Sequence, residues 1–139
     1  MPGKPVPYRL AALAGLLVST LPALADELAP GSWHIVSVGG LELPLDRDRM
    51  PSFEIGMDST SFSATLGCNR FGGSLTITKA SVTFGPVMST RMACQPPLDM
   101  LESAFGAALE TSRSFAVDGD MVTFSDVGGA GLLVLVRPH

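Results

Sequence analysis

The sequence predicts an α+β fold: a single compact domain in which a curved, barrel-like antiparallel β-sheet of about eight strands packs around one α-helix. Two observations support this prediction. Short segments in which apolar and polar residues alternate follow one another between turn residues along most of the chain, which is typical of half-buried antiparallel strands. One later segment places its apolar residues at helical spacing, and a lone amphipathic helix needs an apolar sheet face to cover it.

The first 25 residues have the three parts of a secretory signal peptide. Lys4 and Arg9 make the start positive, residues 10–21 are apolar, and a small-x-small cleavage motif ends at Ala25. Because a membrane-spanning helix needs about 20 apolar residues, this stretch is too short for an anchor. We expect cleavage before Asp26, with no membrane span in the mature form. The cleavage point has no nearby cysteine, so we expect a periplasmic or secreted protein without a lipid anchor.

The mature domain, residues 26–139, is predicted to be acidic. It has 114 residues, which suits one domain, and it keeps seven basic and all thirteen acidic residues, for a formal net charge of −6. Nucleic acids and anionic membrane surfaces select basic patches, so neither is an expected partner. We expect a monomer whose partner is an unidentified envelope protein or a small ligand.

The predicted strands begin at residues 32–38, where Trp33 and Ile35 share a face opposite Val38, and two glycines then end the strand. Four short strands follow from residue 52, joined by connectors short enough for hairpins, one of them containing Gly72 and Gly73. The residues predicted to share a face within each strand are Phe53, Ile55 and Met57; Phe62, Ala64 and Leu66; Leu75 and Ile77; and Val82 and Phe84.

Residues 98–113 predict the helix, since prolines precede it and acidic residues occupy its first turn. Gly106 costs about 1 kcal/mol relative to alanine inside a helix, so we interpret it as a place where a strand crosses closely. After the helix, Asp118 and Gly119 indicate a hairpin between two strands. Residues 132–136 are apolar on both faces and predict a central strand. The apolar helical stripe consists of Leu98, Leu101, Phe105, Ala108 and Leu109.

The two cysteines, Cys68 and Cys94, are predicted to form a disulfide, because an even number in an exported chain favours pairing. Closing this loop would stabilise the fold by about 3 kcal/mol in the chain-entropy model. We interpret Gly67, Asn69 and the glycine pair at 72 and 73 as backbone positions, suited to a bulge or to positive φ, that aim Cys68 at Cys94. Phe71 is expected to pack inward.

No enzyme chemistry is predicted. A nucleophilic cysteine needs a base beside it, and the only histidines are His34 and His139, neither in a recognisable motif. Met88, Met92 and Cys94 form an alternative soft-metal set suited to Cu(I), but the predicted disulfide would remove the thiolate, and methionine commonly fills cores. We therefore expect no catalytic residue, no metal and no cofactor.

The motif GCNRFGG at residues 67–73, followed by STRMAC at residues 89–94 and preceded by Trp33, resembles the META domain, the HslJ-like family of bacterial envelope proteins. The resemblance extends from about Trp33 to Val136. It implies a compact antiparallel β-structure with a helix, secretion, and an association with heat shock or antibiotic stress. The family has no established catalytic residues to carry over. Many relatives are lipoproteins, from which this chain departs by lacking a cysteine at the cleavage point.

Arg70 and Arg91 are the candidate binding residues, because a bridge from Cys68 to Cys94 would bring them into one neighbourhood. Two guanidinium groups there could recognise a carboxylate or an acidic loop of a partner. The alternative is local pairing with carboxylates such as those of Glu102 or Asp126.

The predicted function is that of an exported, non-enzymatic envelope domain that acts by binding. Two alternatives remain open. The domain could be a periplasmic inhibitor of a protease or another envelope enzyme, with a disulfide-braced loop as a rigid insert. It could also carry a small apolar ligand between the sheet and the helix.

Overall fold

The computed structural model describes residue 3, residues 27–43 and residues 50–138. The predicted signal peptide, except for residue 3, lies outside the described residues. So do its predicted cleavage point and His139. Those that are described form ten strands and one helix. These are β1 (Gly31–Val38), β2 (Leu41–Glu42), β3 (Ser52–Ile55), β4 (Ser61–Thr65), β5 (Arg70–Thr78), β6 (Ser81–Phe84), β7 (Met88–Ser89), α1 (Leu98–Thr111), β8 (Ser114–Asp118), β9 (Met121–Ser125) and β10 (Gly131–Val136).

Eight of the strands close into an antiparallel ring. Their order is β1, β3, β4, β5, β6, β8, β9 and β10, and β10 then pairs with β1. The two-residue strands β2 and β7 lie outside the ring and pair with β1 and β5. The predicted α+β fold with a barrel-like sheet of about eight strands is therefore confirmed.

The interior of the ring is filled by aromatic side chains. The Phe105 ring of α1 lies 5.0 Å from Phe71 and 6.4 Å from Phe53, measured between ring centroids. Edge-to-face contacts of this kind add to the burial of apolar area. The helix thus inserts its apolar stripe into the ring, as its spacing predicts. Six phenylalanines make up this cluster: Phe53, Phe62, Phe71, Phe84, Phe105 and Phe124.

Three local expectations about strand faces are wrong. Val38 is fully buried with Trp33 and Ile35, because the pairing with β10 shifts by one residue after Ile35 and turns the end of β1 over. Met57 is 85% exposed, since β3 ends at Ile55. Gly72 and its neighbour Gly73 lie inside β5 and not in a connector; a Cβ at Gly73 would come within 2.8 Å of the Pro86 carbonyl oxygen.

The second half of the sheet follows the predicted order. Strands β8 and β9 form the expected hairpin. Its two turn residues are Gly119 and Asp120, one position later than the pair that the sequence indicated, Asp118 and Gly119. Strand β10 is central, between β9 and β1, which accounts for its apolar residues on both faces. In the part of the chain that the structure describes, the one helix is too short and too polar to cross a membrane.

The interpretation of Gly106 as a close crossing point is wrong. A Cβ placed there would meet nothing within 4 Å. The residue therefore only weakens the helix, because glycine loses more backbone entropy than alanine on folding.

We expect Gly106→Ala to raise the free energy of unfolding by about 1 kcal/mol. Denaturant unfolding followed by the fluorescence of Trp33, the single tryptophan, measures this. The matched control is Gly119→Ala, which should destabilise the protein because Gly119 has φ of +59°. A loss of stability in Gly106→Ala would contradict the open space seen beside this residue.

Candidate binding site

Cys68 and Cys94 are joined by a disulfide, with their Cα atoms 6.1 Å apart. Cys68 lies in the turn between β4 and β5, and Cys94 lies in the segment that leads into α1. The bond therefore ties this segment to the sheet. Of the residues that we interpreted as backbone positions around Cys68, Gly67 has positive φ, and Asn69 has a different role.

Asn69 is the centre of a buried hydrogen-bond network and is only 9% exposed. Its amide Nδ2 donates to the Met92 carbonyl oxygen at 3.1 Å, and its Oδ1 accepts from the Met92 N–H at 2.7 Å. The same Oδ1 accepts from the Thr90 hydroxyl at 2.9 Å. Next to it, the Thr90 N–H donates to the Arg70 carbonyl oxygen at 3.1 Å. The side chain of one asparagine thus sets the backbone position of residues 90 and 92.

Glu102 of α1 is the hydrogen-bond acceptor for the backbone of Asn69. Its carboxylate is buried, 6% exposed, and accepts the Asn69 backbone N–H at 3.0 and 3.1 Å. The carboxylate oxygens also lie 3.6 and 3.7 Å from the Cys94 sulfur. A buried carboxylate must be hydrogen-bonded to be tolerated, and the turn at Asn69 supplies that bond.

We name residues 88–94 the braced loop. Every residue from 88 to 93 is exposed. Exposed loops are usually mobile, yet this one is held at Ser89 by pairing with β5, at Thr90 and Met92 by Asn69, and at Cys94 by the disulfide. The loop therefore combines exposed side chains with a backbone that is held at several points.

The two candidate arginines are both exposed and lie on either side of this network. The Thr90 hydroxyl accepts the Arg70 N–H at 3.0 Å, and Arg91 is the next residue along the braced loop. Arg70 also lines a shallow outer cavity of about 220 Å³. The other residues lining this cavity are Ser52, Glu54, Ser63, Ala64, Thr65 and Phe71.

The two carboxylates that sequence analysis offered as local arginine partners bond to backbone amides. Glu102 accepts from Asn69, as described above. Asp126 accepts the N–H groups of Gly128 and Ala130, each at 2.9 Å, and so shapes the loop before β10. These bonds weaken the argument for local pairing with either carboxylate.

The disulfide changes the chemistry of the candidate thiols. Cys68, Cys94 and Glu102 offer ligand atoms within 4.8 Å of one another, but the sulfurs are bonded together, and only a free thiolate is a metal ligand. The soft-metal set loses its thiolate for the same reason. His34 is half-buried on β1, and its Nδ1 has no hydrogen-bond partner among the described residues.

Sequence reasoning named Asn69 as a backbone position and Glu102 as a possible arginine partner, but it missed the hydrogen bonds that each makes, and it did not single out Thr90. One signal was present. Glu102 lies four residues after Leu98 and three before Phe105, so it falls on the apolar stripe of the helix. A charged residue at such a position is a candidate for a buried, paired group.

Comparison with known proteins agrees with the fold. The META domain family model matches residues 26–138. The chain is similar to an NMR structure of a protein from Burkholderia xenovorans, with 23% identity, a TM-score of 0.64, and coverage of 80% of this chain and 83% of that one. A second protein solved by NMR has 22% identity, a TM-score of 0.63, and coverage of 78% and 90%.

A third solved structure is more distant. The crystal structure of a DUF4847 family protein from Bacteroides vulgatus ATCC 8482 has 14% identity, a TM-score of 0.56, and coverage of 79% of this chain and 94% of that one. At these identities the likenesses to solved structures show the fold alone. No curated protein matches the chain.

We expect reduction of the disulfide to lower the free energy of unfolding by about 3 kcal/mol, because the reduced unfolded chain regains loop entropy. Denaturant titrations with and without reductant measure this. The double variant Cys68→Ser and Cys94→Ser should be less stable and should no longer respond to reductant. An unchanged midpoint after verified reduction of the wild type would show that the bond does not stabilise the fold.

We expect Glu102→Ala to destabilise the oxidised protein by about 1–3 kcal/mol, since it leaves the buried Asn69 N–H without an acceptor. Glu102→Gln retains a side-chain oxygen and should lose less. Unfolding followed by Trp33 fluorescence compares the two variants. Equal losses in both would indicate that the negative charge, and not the hydrogen bond, is the stabilising feature.

Proposed function

The chain belongs to the META domain family, and we propose that it is an exported, non-enzymatic envelope protein that binds a partner through Arg70 and Arg91. The observation that carries this proposal is the braced loop. Arg91 is exposed on it, while Asn69 and the disulfide hold the flanking backbone.

Pre-organisation is what favours binding at this loop. Association normally costs free energy to order loops and side chains, and a loop that is already ordered avoids part of that cost. Residues 90, 92 and 94 are held before any partner arrives. Only the side chains need to adapt, so even a small contact area would give useful affinity.

The chemistry of the two arginines selects an anionic partner. A guanidinium group donates in a planar fork that matches a carboxylate. The cavity beside Arg70 adds the hydroxyl groups of Ser52 and Ser63, which can donate or accept hydrogen bonds. We infer that the partner presents a carboxylate, on a protein loop or pocket, to this surface.

Export and the absence of catalysis belong to the same proposal. A disulfide persists in an oxidising compartment, which fits cleavage of residues 1–25 and a periplasmic or secreted location. The bond also removes both thiols from nucleophilic chemistry. Heat or antibiotic stress is the setting that the family resemblance implies. The carrier alternative receives no support from the ring interior, which phenylalanine rings fill.

We expect the double variant Arg70→Ala and Arg91→Ala to capture at least tenfold less partner from the envelope fraction of its host than the wild type does. The reason is that each hydrogen bond to a charged group contributes about 1.5–3 kcal/mol. Pull-down with the oxidised protein measures this. Lys79→Ala is the matched control. It removes one exposed positive charge just after the far end of β5. Lys79 is nine residues from Arg70, and each residue of a strand spans about 3.3 Å. Equal retention by all three proteins would count against binding through the arginines.

A further inference from the structure

We propose that the partner of the braced loop is a trypsin-like serine endopeptidase, which the loop inhibits by presenting Arg91 to its specificity pocket. The peptide bond between Arg91 and Met92 would lie at the protease's nucleophile. This inference rests on the proposed function, since it names the partner of the same loop. It also develops the inhibitor alternative that the sequence left open.

The exposure of Arg91 carries the first step. The Thr90 side chain and the Met92 backbone both bond to Asn69, whereas Arg91, between them, is exposed. Residues 90–95 form no helix or strand and are exposed up to residue 93. Proteases bind their substrates at exposed, non-helical segments of this kind.

Charge decides the class of protease. The specificity pocket of trypsin contains an aspartate, whereas that of chymotrypsin is a hydrophobic slot. The guanidinium of Arg91 suits the first and not the second. The carboxylate inferred for the partner under the proposed function is, on this reading, the one at the base of the pocket.

Asn69 explains why the loop would inhibit and not simply be cut. Its Oδ1 accepts from the Thr90 hydroxyl on one side of Arg91 and from the Met92 N–H on the other. The amide Nδ2 holds the Met92 carbonyl, and Cys94 is bonded to Cys68. Both sides of the reactive bond thus remain attached to one rigid support.

The chemical consequence follows from that attachment. Attack of the protease serine oxygen on the Arg91 carbonyl carbon forms an ester, breaks the bond to Met92 and leaves a Met92 α-amine that takes up the serine proton. Because the amine is held in place, its attack on the ester has a high effective concentration. This reaction re-forms the peptide bond and returns the proton to the serine. Release by water, which yields an Arg91 carboxylate and a free Met92 amine, is correspondingly slow.

The test measures inhibition of trypsin by the purified oxidised protein, with a chromogenic arginine anilide as substrate. We expect inhibition that Arg91→Lys retains and Arg91→Ala weakens at least about 30-fold, the minimum for removing one partner of a buried charge pair. Arg91→Leu should lose trypsin and gain chymotrypsin as a target. Lys79→Ala is the matched control and should change inhibition less than threefold. Absence of inhibition by the wild type, or full inhibition by Arg91→Ala, overturns the proposal.

A second measurement tests the bracing. Mass spectrometry should show slow cleavage of the oxidised wild type between Arg91 and Met92, and at least tenfold faster cleavage in Thr90→Val, which lacks the hydroxyl bonded to Asn69. Reduction of the disulfide should accelerate cleavage in the same way. If the oxidised wild type is cut at this bond as fast as an unfolded peptide, the loop is a substrate and the proposal is wrong.

The outcomes separate this inference from the function on which it rests. If the arginine-dependent pull-down succeeds but trypsin is not inhibited, the protease proposal is overturned and binding through Arg70 and Arg91 stands. If trypsin is inhibited through Arg91, the protease proposal is supported even where the envelope extract yields no partner. Failure of both experiments overturns both.

Discussion

The site depends on satisfying one buried amide. Asn69 is withdrawn from water, so its donors and acceptors must find partners inside the protein, and an unpaired buried polar group costs several kcal/mol. Those partners come from the braced loop and from Glu102 on α1, and both elements thereby meet the turn between β4 and β5, which contains Asn69. Because all three must meet at one residue, their relative positions are set together. A network of this kind, fully satisfied, rigidifies what it touches.

The fold was predictable because its signals are local. Period-two alternation and a single apolar helical stripe are enough to indicate a sheet around a helix, and the structure closes that sheet into a ring. The extra residue in β1, which turns Val38 inward, was not predictable, because a bulge is set by pairing with β10 at the other end of the chain. The same holds for the polar network. Asn69 bonds to Glu102 across 33 positions, and no short pattern encodes that distance.

The two candidate arginines show which part of the site could be predicted from the sequence. The spacing of each arginine from its cysteine suggested that the two would be neighbours, and Thr90 does link the backbone at Arg70 to the loop that contains Arg91. The spacing did not indicate which residue holds the braced loop in place. The glycine-rich motif was interpreted as a set of backbone positions, whereas its asparagine works through its side chain. Phenylalanine rings fill the interior of the ring, and the recognition that we propose is therefore assigned to the outer surface.

The ring has one weak seam, where β6 and β8 pair at a single position, Ser81 with Ser114. The chain leaves the ring after β6 and returns at β8, and in between it forms the braced loop, which begins with β7, and α1. The loop that we propose for recognition therefore lies in an excursion beside the thinnest strand pairing of the ring. Exposed side chains of this excursion that do not contact Asn69 can be exchanged by engineering without breaking any of the seven other strand pairings that close the ring.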